Sequence, residues 1–264
     1  MQRLPRALGW ANAALMALAS AIGLLFPGVY RDPDWVMAAW FGNDLVTLVV
    51  VVPILVAGLL SARRGSRLGE LLVYSSFAYS IYGYAYYLFG AHLNALLPVY
   101  VALVVAPLIG LATGLGSLDA ASLAENFRPG TPKRFAAGYM VFVGAGLGVA
   151  WLAQWAAYVF GGTEPAVGVD AFATIAALDL SLIIPFMVLG GVLLWRGKPW
   201  GYVLGAIYTV KGASYTLALA AGSAVGAARG VEGTLAQIPV WGAMSVLGAV
   251  AAFTLLRGLR RAEA

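Results

Sequence analysis

The chain has 264 residues, 62% hydrophobic and only 10% charged, with a net charge of +5, one histidine and no cysteine. Soluble domains carry about 25% charged residues, so a soluble fold of this size could not cover its apolar surface, whereas a bilayer removes that demand. The missing cysteines exclude disulfides, thiolate metal sites and iron–sulfur clusters, and the single His92 excludes bis-histidine haem and three-histidine zinc within one chain.

Mean hydropathy is +0.87. A membrane span needs about 20 apolar residues, and the apolar segments lack the alternating polarity of barrel strands. Eight helical spans are predicted, at 7–26, 44–62, 68–89, 96–116, 135–160, 171–195, 200–221 and 235–256. Ahead of the first, Arg3 and Arg6, with Ala17-Leu18-Ala19 inside it, resemble a signal peptide. The apolar run continues to Phe26 and recurs as an internal segment in the second half, so it is read as a retained span.

The second span carries Asp44 and Thr47 toward its outer end and Pro53 in its middle. The third places Tyr79, Tyr82, Tyr86 and Phe89 three or four residues apart, on one helical face. His92 and Asn94 come next, in a short loop, and are read as ordinary exposed residues. Pro107 lies inside the fourth span. Between 117 and 134, Ser122-Leu123-Ala124-Glu125 fits a capping box, and Pro129-Gly130 and Pro132 would end a helix there; a short interfacial helix and a turn are expected. The fifth span has Trp151, Gln154, Trp155 and Tyr158 near its outer end. Tyr86, Tyr87 and Tyr158 are expected at the headgroup level, where aromatic belts form. The sixth span carries Asp179 and Pro185, and the seventh Tyr208, Lys211 and Tyr215 on one face. GxxxG spacing at Gly144/Gly148 and Gly201/Gly205 is read as close helix packing.

Thirteen cations sort to one side of this pattern: Arg3, Arg6, Arg63, Arg64, Arg67, Arg128, Lys133, Arg134, Arg196, Lys198, Arg257, Arg260 and Arg261. Arg31 and Arg229 fall on the other, and Lys211 lies within a span. Cation-rich loops face the cytoplasm, so both termini are expected there. The basic charge thus reports topology, and no nucleic acid partner is expected. The excess of Arg over Lys, with abundant Ala and Gly, reads as a GC-rich bacterial genome and an inner-membrane location.

The halves match. Pro53-Ile54-Leu55-Val56-Ala57-Gly58 falls over Pro185-Phe186-Met187-Val188-Leu189-Gly190, and Arg64-Gly65 and Gly69 over Arg196-Gly197 and Gly201, all at an offset of 132. Leu97-Pro98-Val99-Tyr100 matches Ile238-Pro239-Val240-Trp241 at 141, which places nine extra residues before the last span, most simply in its preceding loop. The fold class expected is therefore an all-α integral membrane protein of two tandem, parallel four-helix repeats, at 1–116 and 135–264, joined by a cytoplasmic linker at 117–134.

Asp179 and Lys211 sit about 12 and 15 Å from the outer ends of their spans at the helical rise. Buried charges in a bilayer need partners or water and mark functional sites by default. At the 132 offset Lys211 corresponds to Tyr79 and Asp179 to Thr47, with Asp44 one turn away, so the charge pair is confined to the second copy. Two readings are open: an Asp–Lys clasp that fixes helix register, or an outward-opening aromatic pocket floored by Asp44, Asp179 and Lys211. The second would make the chain a small-solute or ion transporter, proton-coupled through Asp179, with substrate or ion contacts from Asp179, Lys211, Asp44, Thr47, Tyr79, Tyr82, Tyr208 and Tyr215. The alternatives are a ligand-binding or sensory membrane protein, and an accessory subunit whose partners are other membrane proteins or further copies of itself. No nucleophile–base pair or metal set points to an enzyme, and no cofactor is specified.

Overall fold

The computed structural model describes residues 1–165 and 167–260. Arg261, assigned above to the cation-rich side, and the last residues of the expected second repeat lie outside them. Among the described residues the chain forms nine helices and no sheet. They are α1 (Arg3–Leu25), α2 (Asp34–Arg63), α3 (Arg67–Gly90), α4 (Leu97–Gly116), α5 (Ala120–Glu125), α6 (Lys133–Gly161), α7 (Val169–Trp195), α8 (Pro199–Ala228) and α9 (Thr234–Leu256). Seven of these, all but α3 and the short α5, are long and apolar enough to cross a membrane. The chain is a polytopic α-helical membrane protein, and its apolar helix faces meet the lipid bilayer.

The expected eighth span, α3, is not among the seven. Its 24 residues reach about 36 Å, which is long enough. It falls short in apolarity, because it carries six tyrosines and the buried Glu70, Ser75, Ser76 and Ser80. A helix enclosed by other helices has no need of an apolar surface, and α3 packs against α2, α4 and α8.

Two long helices are interrupted. In α2 the segment Thr47–Val51 widens into a π-helix, and in α7 the segment Asp179–Ile183 does the same. Val52 N–H donates to the Thr47 carbonyl and Ile184 N–H to the Asp179 carbonyl. The cause lies two residues beyond each segment. Pro53 and Pro185 lack an N–H and would strike the carbonyl four residues back, and the wider turn relieves that clash.

The two breaks are 132 residues apart, and other contacts recur at the same offset. A side chain at Gly69 would strike Ser61 and Ala62, and one at Gly201 would strike Leu193 and Leu194. Gly42 meets the backbone of Gly222 where α2 crosses α8; Thr174 faces Gly90 where α7 passes α3. Gly65 and Gly197 both take positive φ, at 82° and 68°, in the turns after α2 and α7. The crossings are unequal: α2 and α8 touch backbone to backbone, whereas α3 and α7 meet through side chains.

Several expected boundaries move. The second span begins at Asp34 rather than 44, because the apolar run from Trp35 to Trp40 extends the helix and Asn43 and Asp44 find partners inside the bundle. The nine extra residues of the second half do not form a longer loop. They lengthen α8, which runs to Ala228, and the start of α9, and only Arg229 to Gly233 connect them. The short helix α5 is capped by Asp119, whose carboxylate accepts from Ala121 and Ser122 N–H at 3.0 Å. Ser122 is therefore inside the helix, and the expected capping box does not form. Phe127 pairs with Leu259, tying the linker to the end of α9. Both GxxxG pairs serve packing, Gly144 and Gly148 against α7 and Gly201 and Gly205 against Leu194.

Candidate functional site

The polar residues of the interior form two networks, one in each half, meeting at the tyrosines of α3. In the first half, Asp44 is 1% exposed. Its Oδ2 accepts from the Tyr30 hydroxyl at 2.5 Å and its Oδ1 from the Tyr87 hydroxyl at 3.2 Å. Burial first, and then the Asp44 carboxylate, push the Tyr30 hydroxyl far above the usual phenol range, so it stays a donor. Gly23 on α1 leaves room for this contact: a side chain there would strike both Asp44 Oδ2 and the Tyr30 hydroxyl. Asn43 donates to the Tyr87 hydroxyl at 3.1 Å and accepts from the Tyr79 hydroxyl at 2.8 Å, and Thr47 Oγ1 lies 2.9 Å from that same hydroxyl.

The second network is built around Asp179, at the first residue of the π segment. The Tyr82 hydroxyl donates to its Oδ1 at 2.7 Å and the Trp151 indole N–H to its Oδ2 at 2.8 Å. Lys211 does not reach it as an ion pair. Its Nζ lies over the ring of Tyr82, 3.8 Å from the centroid, and 4.7 Å from that of Tyr215. The two rings meet edge to face at 4.7 Å. Among the described residues nothing donates to or accepts from Lys211 Nζ. Tyr82 is thus shared, its hydroxyl on the carboxylate and its ring under the ammonium.

Magnitudes explain why this arrangement is tolerated. A lone charge at the centre of a span costs about 2.5–3.5 kcal/mol on insertion scales. A desolvated cation over an aromatic face returns about 2 kcal/mol, and a hydrogen bond to a charged group about 1.5–3 kcal/mol. Two ring faces for the ammonium and two donors for the carboxylate offset most of both costs without direct contact.

The corresponding positions in the first half are Thr47 and Tyr79, which are hydrogen-bonded to each other. The pair in the first half is therefore neutral and closed, and the pair in the second is charged and separated. Tyr79 links the networks, since its ring meets Tyr215 edge to face at 6.4 Å.

The other expected site residues are more scattered. Tyr208 stands apart from Lys211, stacked on Phe186, and donates to the Leu182 carbonyl in the π segment at 3.1 Å. Tyr87 is no belt residue: it is buried, stacked on Trp40 and bonded to Asp44. Tyr158 is exposed. His92 is not free in its loop, because its N–H and Nδ1 both meet the buried Asp32 carboxylate, at 2.8 and 3.1 Å. Trp40 donates to the other oxygen of Asp32.

Asp44, Asp179 and Lys211 line neither of the two cavities beside α3. A small cavity of about 40 Å³ lies between α2, α3 and α8, lined by Trp40, Asn43, Tyr86 and Tyr215 among others. A larger one of about 140 Å³ lies at the far end of α3, lined by Tyr87, His92, Asn94 and Tyr100. The hydroxyl of Tyr100 is fully enclosed without a hydrogen-bond partner. Sequence reading missed Tyr30, Asp32, Asn43, Tyr100 and the role of Trp151. Asn43 beside Asp44 was the one local signal; the rest depend on which helices become neighbours.

No three His, Asp or Glu side chains converge as a metal site among the described residues. Comparison with protein-family models, curated proteins and solved structures finds no match. The fold and site define a multi-pass helical membrane protein with an enclosed acid–amine centre.

Proposed function

We propose that the chain is a small-solute or ion transporter of the bacterial inner membrane, coupled to protons through Asp179. The observation that carries this reading is the separation of Asp179 and Lys211, two enclosed ionisable groups held by one tyrosine rather than by each other. A register clasp is most stable when its charges touch. Here the groups share Tyr82 but do not touch, so a proton or ligand at one alters the field at the other without breaking a direct ion pair. Asp179 is the titrating carboxylate and Lys211 its switchable partner.

The architecture we assign is two like-oriented four-helix units, with α3 as the eighth span and both termini in the cytoplasm. The recurring contacts at an offset of 132 support the duplication, and the cation-rich ends support the orientation. Discontinuous helices near the bilayer midplane at a repeat interface are the usual setting of transporter sites. Asp179 begins such a break, on the side of the pseudo-axis where the helices meet less closely.

The test is solute-driven proton movement in proteoliposomes loaded with a pH-sensitive dye. Across a panel of small amines, carboxylates, sugars and inorganic ions, the wild-type protein is expected to move protons with at least one solute. Asp179→Asn is expected to lower that rate tenfold or more at equal protein incorporation. A wild-type protein silent across the panel, or an Asp179→Asn variant as fast as wild type, contradicts the proposal.

A further inference from the structure

The surroundings of Lys211 carry a statement about the ligand. Aromatic rings arranged around an ammonium are the usual device for binding organic cations. Lys211 Nζ is in such a place, 3.8 Å from the centre of the Tyr82 ring and 4.7 Å from that of Tyr215, with no carboxylate, carbonyl or hydroxyl bonded to it. Asp179 supplies the negative charge through the Tyr82 hydroxyl, which it accepts at 2.7 Å. The ammonium therefore uses the cage as a free cation would, by ring faces and a nearby charge rather than by directed hydrogen bonds.

Tyr215 also lines the small cavity between α2, α3 and α8, whose other walls include Ala39, Trp40, Gly83, Tyr86 and Ala218. Asn43 and Leu219 share the lining, which holds no basic residue. At about 40 Å³ the cavity has room for water but not for an alkylammonium ion. A side chain built at Gly83 would have only the Tyr79 ring near it, at 4.0 Å.

We infer that the cage formed by Tyr82, Tyr215 and Asp179 is a binding site for a small monovalent alkylammonium ion, and that Lys211 is its tethered stand-in. Lys211 fills the cage in the closed form and leaves it when the external cation enters. The idea that this cation is a transported substrate rests on the transport reading above; its binding does not.

Tetramethylammonium chloride is the probe, since it offers four methyl groups and no N–H to compete for other acceptors. The full chain has three lysines, Lys133, Lys198 and Lys211, so acetylation of each can be followed by mass spectrometry. In the wild-type protein the probe is expected to speed acetylation of Lys211 several-fold and saturably, with Lys133 and Lys198 unchanged, while potassium chloride at the same ionic strength does nothing. Calorimetry on Lys211→Ala, which empties the cage, is expected to show tetramethylammonium bound at least tenfold more tightly than by wild type. Adding Tyr82→Leu to that variant is expected to abolish the gain. An acetylation rate that ignores the probe, or Lys211→Ala binding it no better than wild type, overturns the inference; where Lys211→Ala does not fold, the wild-type acetylation decides alone. Binding without any solute-driven flux would remove the transport reading and leave the cage standing, and flux with no response to the probe would do the reverse.

Discussion

Tyr82 occupies two roles that separate residues usually share. Its hydroxyl fixes one oxygen of Asp179 and its ring faces Lys211, so one side chain sets the distance between the charges. The same economy of space governs Asp44, where the absence of a side chain at Gly23 admits the hydrogen bond from Tyr30. Gly23→Ala is expected to open that bond and to lower stability by about 2 kcal/mol, the cost of leaving a buried polar group unpaired. Gly28→Ala, with nothing within 4 Å of the added carbon, is expected to leave the melting temperature within a degree or two. Thermal unfolding in detergent compares the two, and equal effects would contradict the role given to Gly23.

At the scale of helices, small residues decide which crossings are tight. An added carbon at Gly42 would run into the backbone of Gly222, which has nowhere to move, whereas one at Gly90 would meet the ring of Tyr86 and a methyl group of Thr174. Gly42→Ala is therefore expected to cost about 3 kcal/mol, the upper range for overpacking, and Gly90→Ala less than about 1 kcal/mol. The same unfolding measurement checks this, and the reverse order would contradict the asymmetry between the two crossings. That asymmetry matters for function because the looser crossing is the one beside Asp179.

Much of the helical plan was legible in the sequence because it depends on local pattern. Apolar length marked the spans, and Pro53 and Pro185, visible in the sequence, stand two residues beyond the π segments. The start of α2 was misplaced because Asn43 and Asp44 resemble a boundary when read alone; only the hydroxyls of Tyr30, Tyr79 and Tyr87, brought in from the loop ahead of α2 and from α3, make them interior residues. The depths of Asp179 and Lys211 came from counting along each helix. Their separation by the Tyr82 ring did not, since it depends on the lateral packing of α3 between α7 and α8. Tyr208 shows the same limit: its spacing from Lys211 suggested a shared site, yet its partner is the Leu182 carbonyl in the neighbouring π segment.

For the whole molecule, helix breaks and glycine contacts recur at an offset of 132, and the residue pairs at that offset differ in charge. Thr47 and Tyr79 close the first site with a hydrogen bond, while Asp179 and Lys211 hold the second open around Tyr82. A frame that served only to hold helices together would work equally well with a neutral pair in both places. Asp179→Asn combined with Lys211→Met makes the second site neutral as well, removing both charges without leaving either one unmatched. The most direct measurement is solute-driven flux through this doubly substituted protein in proteoliposomes, beside its thermal stability. The account predicts a folded protein, with a melting temperature near that of wild type, that carries no solute-driven flux. Wild-type flux in the neutralised protein would contradict it and return the acid and the amine to a packing role.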